Sequence, residues 1–421
     1  MHPILRLLGI FVVFFTTVAA WLVLGGIVTS RTHDQSSALD GRVSDLWGSP
    51  QTQEAPSFTE QWVIEVPSKE RVTDPLTGLV SVVQKVDRVA QSQKVDPSRT
   101  RIDVDLHLDQ RRKGLLWYPL YDVTFAGGWT YTHAGPARDL RIAFRFPDAQ
   151  GLYDDFRFVV DGVDRAPEIR PEDGGLAWVL PVTPGQAVTL DIAYKSRGMR
   201  EWTYRPTDGV GRVDDFALLM HTDFADIDYP RMTTSPRVRT ATADGWDLEW
   251  TYESLVSGYG IGMVMPERVQ PGELAADLSF SAPFSLALFF LWIYALGLLR
   301  GVEIHPINYI FLAAAFFAFD LLFAYTADHL PVEAAFALAS VVSVGLVVSY
   351  LRLAVGSRFA FVEAGVAQVL YQVGFALAHF WDGLTGLTIT VLGVVTLFAL
   401  MQLTGRIRWS EALKRRPTVP A

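Results

Sequence analysis

The chain has 421 residues, half of them hydrophobic, with no cysteine and a formal net charge of −9 at pH 7. The absence of cysteine excludes disulfides, thiolate catalysis and cysteine-ligated metals, and the negative charge argues against nucleic acid as a partner. Charge is unevenly distributed, because residues 31–279 hold 27 of the 36 basic and 38 of the 45 acidic residues. The composition therefore predicts an acidic domain outside the lipid and a remainder embedded in a membrane.

The first apolar segment, residues 7–28, is long enough to cross a bilayer, which takes roughly 20 apolar residues. It exceeds the roughly 7–15-residue apolar core of a signal peptide, so we interpret residues 1–30 as a retained transmembrane anchor. Residues 31–58 are rich in Ser, Gln, Thr and Pro, which is typical of a loose leader before a folded domain.

Residues 31–279 are predicted to form an all-β domain, built as antiparallel sandwich modules. Polar and apolar residues alternate, as in strands with one buried face, in segments 101–108, 140–144, 156–160, 188–194 and 246–252. Glycine-containing turn sequences separate these segments at 161–162, 174–175, 184–185 and 244–245. Many short strands at close spacing favour a sandwich.

Five more apolar segments follow and predict a transmembrane helix bundle over residues 280–404, with spans at 280–299, 307–326, 334–351, 359–381 and 384–404. Together with the anchor they make a six-span membrane α-helical part, so the lipid bilayer is an expected partner. The connections are short, which makes neighbouring helices antiparallel.

Basic residues predict the orientation of this bundle. With the N-terminus inside, all nine basic residues outside 31–279 lie on the inner side: Arg6, Arg300, Arg352, Arg358, Arg406, Arg408, Lys414, Arg415 and Arg416. The outer loops then hold only Asp328, Glu333 and Asp382. Because Lys and Arg favour the cytoplasmic side, we expect both termini in the cytoplasm, with 405–421 as a basic tail and 31–279 in the periplasm.

Polar residues inside the predicted spans form the candidate functional cluster. At about 100° per residue, Gln368, Gln372 and His379 share one helix face, and an antiparallel neighbour places Asp320 near them. Ionisable groups at membrane depth are costly and mark functional sites by default, so one interpretation is a proton relay or the gate of a small pathway. The interpretation that we favour is that these residues make interhelical hydrogen bonds. Glu363 lies apart, where Arg358 or Arg352 is expected to neutralise it.

The membrane part resembles the CreD family of inner-membrane proteins. The residues that carry the resemblance are Ile304-His305-Pro306-Ile307-Asn308-Tyr309, Asp328-His329, Ala339-Ser340 and Ser349-Tyr350-Leu351. The family motif residues on which we place most weight are His305, Pro306, Tyr309 and His329. Two differences from the family pattern are Asn308 in place of Gln and Ala327-Asp328-His329 in place of Ser-Glu-His.

Weaker matches extend the resemblance over roughly residues 100–410. They are Arg112-Lys113-Gly114 followed by Pro119-Leu120-Tyr121, and Pro236-Arg237-Val238-Arg239 followed by Gly245-Trp246 and Trp250. The segment 202–229 departs from the family pattern, which indicates a divergent branch. The resemblance implies a role in cell-envelope integrity, linked to stress or antibiotic response, and it supplies no accepted reaction and no catalytic residues.

From these observations we expect a non-enzymatic protein of the inner membrane, without a cofactor or a metal site. No nucleotide-binding, zinc-protease or serine-hydrolase motif is present, and the acidic run 208–228 does not match a calcium-binding loop. The periplasmic β domain would sense a signal or contact envelope proteins of the periplasm or inner membrane. The alternative function is a transporter or channel that uses a polar line of Asp320, Gln372 and His379.

Overall fold

The computed structural model describes residues 3–73, 80–171, 173–381 and 383–405. The chain divides into two compact units. The first, which we call the helical unit, comprises residues 1–39, 114–116 and 269–421. The second, the β unit, comprises residues 40–113 and 117–268.

Six helices in the described residues are long and apolar enough to cross a membrane. They are α1 (Pro3–Trp47), α2 (Pro271–Arg300), α3 (Pro306–Thr326), α4 (Val332–Ala354), α5 (Phe359–Phe380) and α6 (Leu384–Thr404). The prediction of six spans is therefore confirmed. The basic tail lies outside the described residues from residue 406 onward, as does Asp382.

The first helix differs from the prediction, because it continues past the predicted anchor to Trp47. A helix that is already formed extends easily, since each further residue adds one hydrogen bond for one residue fixed. It stops at Gly48, which has φ of +99° and donates its N–H to the Ser44 carbonyl at 2.9 Å, a glycine C-cap. The predicted loose leader is wrong, since strands also begin at Gln51 and Ser57.

Large apolar and small side chains alternate in the core of the helical unit. Leu286, Phe289 and Ile293 of α2 pack among α3 side chains that include Phe316. Alanines fill the contact between α4 and α5, where Ala335, Ala339, Ala360 and Ala364 are all fully buried. Small residues let two membrane helices approach closely, which strengthens van der Waals packing in a medium without a hydrophobic driving force.

The β unit contains three sheets. The largest has eight strands in the order β13-β14-β12-β4-β5-β10-β7-β8. These strands are β4 (Arg99–Lys113), β5 (Leu116–Thr132), β7 (Tyr153–Val160), β8 (Val163–Asp164), β10 (Ala187–Met199), β12 (Gly211–Thr222), β13 (Val238–Ala241) and β14 (Trp246–Ser257). All five segments predicted from alternation lie in strands, so the β assignment is confirmed.

Two smaller sheets complete the unit. One has four strands in the order β3-β2-β6-β9, which are β2 (Ser57–Thr73), β3 (Val80–Val95), β6 (Arg138–Arg145) and β9 (Gly175–Val182). The other has three strands in the order β1-β11-β15, which are β1 (Gln51–Glu54), β11 (Glu201–Arg205) and β15 (Ile261–Val264). Pairing is antiparallel except between β1 and β11 and between β12 and β4, which are parallel.

One hydrophobic core runs through all three sheets. It includes Ile102 and Val104 from the large sheet, Phe58 from the four-stranded sheet and Trp202 from the three-stranded sheet. On β4 the burial alternates residue by residue, which is the physical basis of the pattern seen in the sequence. The sheets are thus layers of one domain instead of separate modules.

Candidate functional site

The polar residues predicted inside the spans are all found within the helical unit, on α3 and α5. Asp320, Gln368 and Gln372 are buried, with 3%, 0% and 4% of their surfaces exposed. Helix α5 is irregular, since residues 359–364 and 369–374 form π-helical turns around a short α segment. The uniform 100° spacing assumed for its polar stripe therefore does not hold along this helix.

Asp320 bonds with the anchor helix instead of the predicted polar line. Its carboxyl oxygen accepts a hydrogen bond of 2.9 Å from the indole Nε1 of Trp21, whose ring is fully buried. The Trp21 ring also packs against Phe317, with 6.1 Å between ring centroids. A second contact lies beyond the apolar span, where Arg31 of α1 pairs at 3.0 Å with Asp328, just after the end of α3. These contacts hold α1 against α3 and against the turn that follows it.

Gln368 and Gln372 form a buried hydrogen-bonded group with Ser343 of α4, which we call the glutamine cluster. The amide nitrogen of Gln368 donates to the Ser343 hydroxyl at 3.0 Å and to the Gln372 carbonyl oxygen. The amide nitrogen of Gln372 donates to the Phe316 carbonyl at 2.9 Å. The Ser343 hydroxyl lies 2.7 Å from the Ala315 carbonyl. The cluster therefore joins α3, α4 and α5 without a net charge.

His379 lies apart from both groups. Its Nε2 is 2.9 Å from the hydroxyl of Ser281 on α2, and its Nδ1 is 3.3 Å from the Phe375 carbonyl. A neutral ring satisfies both contacts, with Nδ1 as donor and Nε2 as acceptor of the serine proton. The structure thus places the predicted residues in three separate helix contacts.

A small void lies beside Asp320 and Gln372. Its volume is about 10 Å³, and Ser285, Phe316 and Phe319 are among the other residues that line it. A cavity of this volume holds one water molecule at most. The two side chains face the same void, yet neither is hydrogen-bonded to the other among the described contacts.

The family-motif residues build the start of α3. His305 is the N-cap, with its Nδ1 accepting a 3.3 Å hydrogen bond from the Ile307 N–H, and Pro306 occupies the first turn. Tyr309 is fully buried and packs edge-on against Phe290. His329 is exposed just after α3. Asn308, which replaces the family Gln, accepts a 2.9 Å hydrogen bond from the hydroxyl of Tyr350 on α4.

The position of Glu363 corrects one expectation. Its carboxylate pairs at 2.6 Å with Arg300, the last residue of α2, and not with Arg358 or Arg352. The π-helical turn that contains Glu363 shifts the angular position of its side chain on α5, which residue spacing alone does not reveal.

The β unit contains a buried ionic group that residue spacing does not predict, because its carboxylate, Glu60, lies more than 70 positions before the residues that bind it. Glu60 accepts hydrogen bonds from the Tyr131 hydroxyl, from His133 at 2.7 Å and from Arg138 at 2.6 Å. The guanidinium of Arg138 also stacks 3.6 Å over the ring of Trp62. We call Glu60, Tyr131, His133 and Arg138 the Glu60 network.

The Glu60 network shifts the acidity of its members. Burial acts to raise the pKa of Glu60, but the hydrogen bonds from Tyr131, Arg138 and His133 outweigh it, so its pKa lies below the usual value. Burial and the adjacent carboxylate raise the pKa of Tyr131. The carboxylate is therefore held ionised, and the network links β2, the end of β5 and β6.

Three carboxylates of the acidic run 208–228 form ion pairs. Asp215 contacts Arg99 and Arg101, Asp223 contacts His107, and Asp214 contacts Arg212. Among the described residues, no group of three or more His, Cys, Asp or Glu side chains has an arrangement that could hold a metal ion.

Comparison with known proteins identifies one family. The family model described as inner membrane protein CreD matches residues 281–410, which include α3, α4, α5 and α6. No curated protein sequence matches the chain. A crystal structure from Legionella pneumophila, described as that of a candidate nutrient binding protein, has a TM-score of 0.28 and 11% identity over 48% of this chain and 77% of that chain. A likeness of that size carries no argument about function.

Proposed function

We propose a non-enzymatic role in maintaining the cell envelope, on the ground that residues 281–410 match the family model described as inner membrane protein CreD. In this proposal the protein supports envelope integrity or the response to envelope stress. The six-helix part anchors it in the bilayer, and the periplasmic β unit senses a signal or contacts envelope proteins.

The observation that carries the proposal is the state of the polar side chains within the spans. Asp320 is hydrogen-bonded to Trp21, the two glutamines to Ser343 and to each other, and His379 to Ser281. Side chains engaged in this way hold helices together, at about 0.6 kcal/mol per contact on average. The void beside Asp320 and Gln372 is about 10 Å³, so these side chains support an anchor and leave recognition to the β unit.

The orientation in the proposal is cytoplasmic for both termini and periplasmic for the β unit. It is supported by the nine basic residues that flank the spans on one side, from Arg6 to Arg416. In this orientation Arg31 follows the first span on the periplasmic side, where basic residues are disfavoured. Its ion pair with Asp328 offsets that positive charge.

The non-enzymatic character is supported by how the β unit uses its histidines. His107 contacts Asp223, His133 contacts Glu60, and His221 contacts Asp247, so each ring pairs with a carboxylate across neighbouring strands or loops. We propose that these pairs hold the sheets together, as cross-strand charge pairs do elsewhere.

The experiment that tests the function is deletion of the gene followed by challenge with detergent and with a β-lactam. We expect increased sensitivity, which is restored by the wild-type chain and equally by Asp320→Asn and His379→Gln, since both variants retain hydrogen-bonding groups. A deletion strain as resistant as its parent under several envelope stresses would contradict the envelope role.

A transporter or channel is the second candidate, and two observations favour it. π-Helical turns often occur at functional sites, and one of the two in α5 contains Gln372 while the other precedes Gln368. In addition, the side-chain oxygen of Gln368 is buried without a hydrogen-bond partner in the described part of the chain. This candidate requires a measurable flux through the purified protein, which the envelope proposal does not.

A further inference from the structure

Strands β2 and β3 form a long hairpin that extends beyond the sheet to which it belongs. They pair with each other from Phe58 and Val95 to Thr73 and Val80, whereas β6 pairs with β2 only over residues 57–61. The rest of the hairpin is a two-stranded ribbon, with residues 62–73 on one strand and 80–91 on the other. An isolated two-stranded ribbon is marginally stable in water, so a covering partner would stabilise it.

The ribbon exposes aliphatic side chains from both strands. Between 37% and 61% of the surface is exposed at each of Val63, Ile64, Val66, Val82, Val86 and Val89. A group of exposed aliphatic residues on neighbouring strands is typical of an interaction surface.

The two edges of the ribbon are not equivalent. In the residues described, β3 is the terminal strand of its sheet and pairs with β2 alone, so its other edge has no strand beside it. Strand β2 has Pro67 at its centre, whereas β3 contains no proline. Proline removes a backbone donor and protects an edge from further pairing, which leaves β3 as the edge that can accept another strand.

We propose that β3 pairs antiparallel with β3 of a second copy of this chain, around a two-fold axis at Val86. This arrangement goes beyond the envelope role and does not depend on it. In this register the two residue numbers of each opposing pair add up to 172, which is twice 86. Lys85 then faces Asp87 of the second copy, Val82 faces Ala90, Gln84 faces Arg88, and Val86 faces itself.

Charge complementarity selects this register over its neighbours. A shift by one residue places Lys85 opposite Arg88, and a shift by two in the same direction places Asp87 opposite Asp87. A shift by two in the other direction places Lys85 opposite Lys85. Opposite charges directly across a strand pair are favourable and like charges are destabilising. Within one chain Lys85 and Asp87 lie on the same face of β3, 3.9 Å apart and both exposed.

The same register extends an apolar row across both copies. Pro67 lies opposite Val86 within one hairpin, so the two-fold axis produces a row of Pro67, Val86, Val86 and Pro67 on one face of a four-stranded sheet. Aliphatic contacts of this kind are the side-chain pairs that stabilise a sheet, and the isologous contact closes after two copies.

Cysteine crosslinking tests the pairing, because the wild-type chain contains no cysteine. The full chain with Val86→Cys would be purified in detergent and in lipid nanodiscs and then oxidised. Opposing residues in an antiparallel pair have Cα atoms about 4.5–5.5 Å apart, within disulfide range, so we expect a crosslinked dimer. Val63→Cys on β2, which is similarly exposed at 61% against 56%, is the matched control and should crosslink far less.

A charge exchange tests the register. Asp87→Lys places lysines opposite each other twice in the dimer and should weaken dimerisation about tenfold. The double variant Lys85→Asp/Asp87→Lys reverses both charges and should restore it. Lys69→Asp on β2 changes the net charge by the same amount in the opposite direction and lies away from the β3 edge, so we expect dimerisation close to wild type.

Two results would overturn the proposal. One is Val86→Cys crosslinking no more than Val63→Cys, with a monomeric mass for the wild-type chain in both detergent and nanodiscs. That result would also be obtained if the β3 edge takes a strand from another protein or lies on lipid. The other is a double charge exchange that dimerises no better than Asp87→Lys, since the pairing of Lys85 with Asp87 would then be wrong.

Discussion

The two units of the molecule differ in the partners of their buried carboxyl groups, although both also bury uncharged pairs, such as Gln51 with Ser196 in the β unit. In the middle of the helical unit the partners are uncharged donors and acceptors, as in the glutamine cluster and in Tyr371 with Thr396 at 2.8 Å. In the β unit the buried Glu60 is surrounded by Arg138 and His133. An ion pair of the helical unit joins Arg300, the last residue of α2, to Glu363 near the start of α5.

The surrounding medium explains this difference. A full charge at the centre of a bilayer costs roughly 3 kcal/mol on insertion scales, so evolution of a spanning helix favours amides and hydroxyls there. Among the described mid-span residues, Asp320 is the exception to this preference because it carries a carboxyl group, and that group accepts a hydrogen bond from the indole N–H of Trp21. In the β unit, the free-energy cost of taking the Glu60 carboxylate out of water is offset by the groups that pair with it.

The largest effect is expected at the Glu60 network. Glu60→Gln removes the negative charge and leaves Arg138 and the buried His133 without it, so we expect a loss of about 3 kcal/mol in the free energy of unfolding. Denaturant unfolding of the full chain in detergent, followed by tryptophan fluorescence, measures this loss. Glu65→Gln is the control, because the pair of Glu65 with Arg88 is exposed at 3.5 Å and its loss should cost less than about 1 kcal/mol.

The second effect is expected at the contact between α1 and α3. Trp21→Phe removes the N–H that Asp320 accepts and leaves a buried carboxyl group without this donor, at a cost of about 1–3 kcal/mol. Asp320→Asn keeps an acceptor for Trp21 and should cost less. Thermal unfolding in lipid nanodiscs compares the two variants. Equal loss in both would show that the carboxyl group matters for a reason other than this hydrogen bond.

A smaller effect is expected in the glutamine cluster. Ser343→Ala removes one hydroxyl that contacts both glutamines, and we expect about 0.6 kcal/mol, which is typical of a single hydrogen bond between membrane helices. Ser340→Ala on the same helix is the control, because the Ser340 hydroxyl bonds only to the Phe336 carbonyl of its own helix. A loss well above 2 kcal/mol for Ser343→Ala would mean that the cluster is more than a helix contact.

The smallest effect concerns pH and the exposed pair of His221 with Asp247. The hydrogen bond to Asp247 raises the pKa of His221 above its usual value, so the pair stabilises the fold fully below the unfolded pKa of about 6.5. This contribution is lost as the pH rises through the folded pKa. Glu60 behaves in the opposite way, since its lowered pKa makes its contribution disappear only in acid.

The measurement is the pH dependence of unfolding for wild type and for Asp247→Asn. The difference in stability between them should be largest below the unfolded pKa of His221 and should shrink at higher pH. A difference that grows with pH would contradict the assigned direction of the shift.

The sequence was sufficient to predict the large-scale architecture. Hydropathy located all six spans, because a bilayer imposes a length on every helix. Alternation located β4, β6, β7, β10 and β14, because one face of each strand is buried. The Asp161–Gly162 turn was recognisable as well, since both residues take the positive φ angles that a tight hairpin requires.

The sequence was insufficient where contacts depend on irregular backbone or on distant strands. The π-helical turns of α5 separate His379 from the predicted line and bring Glu363 to Arg300, and no residue spacing indicates such turns. The Glu60 network joins residues more than 70 positions apart in the chain, such as Glu60 and Tyr131. The pairing of Asp320 with Trp21 depends on how the anchor packs, which periodicity within α3 does not determine.

We propose that the polar side chains of the helical unit hold helices together and do not form a pathway. Purified full-length protein in liposomes, with a pH-sensitive dye inside and an imposed membrane potential, measures proton flux directly. We expect wild type, Asp320→Asn and protein-free liposomes to give the same rate. A wild-type flux that Asp320→Asn abolishes would contradict the claim and establish the transport function instead.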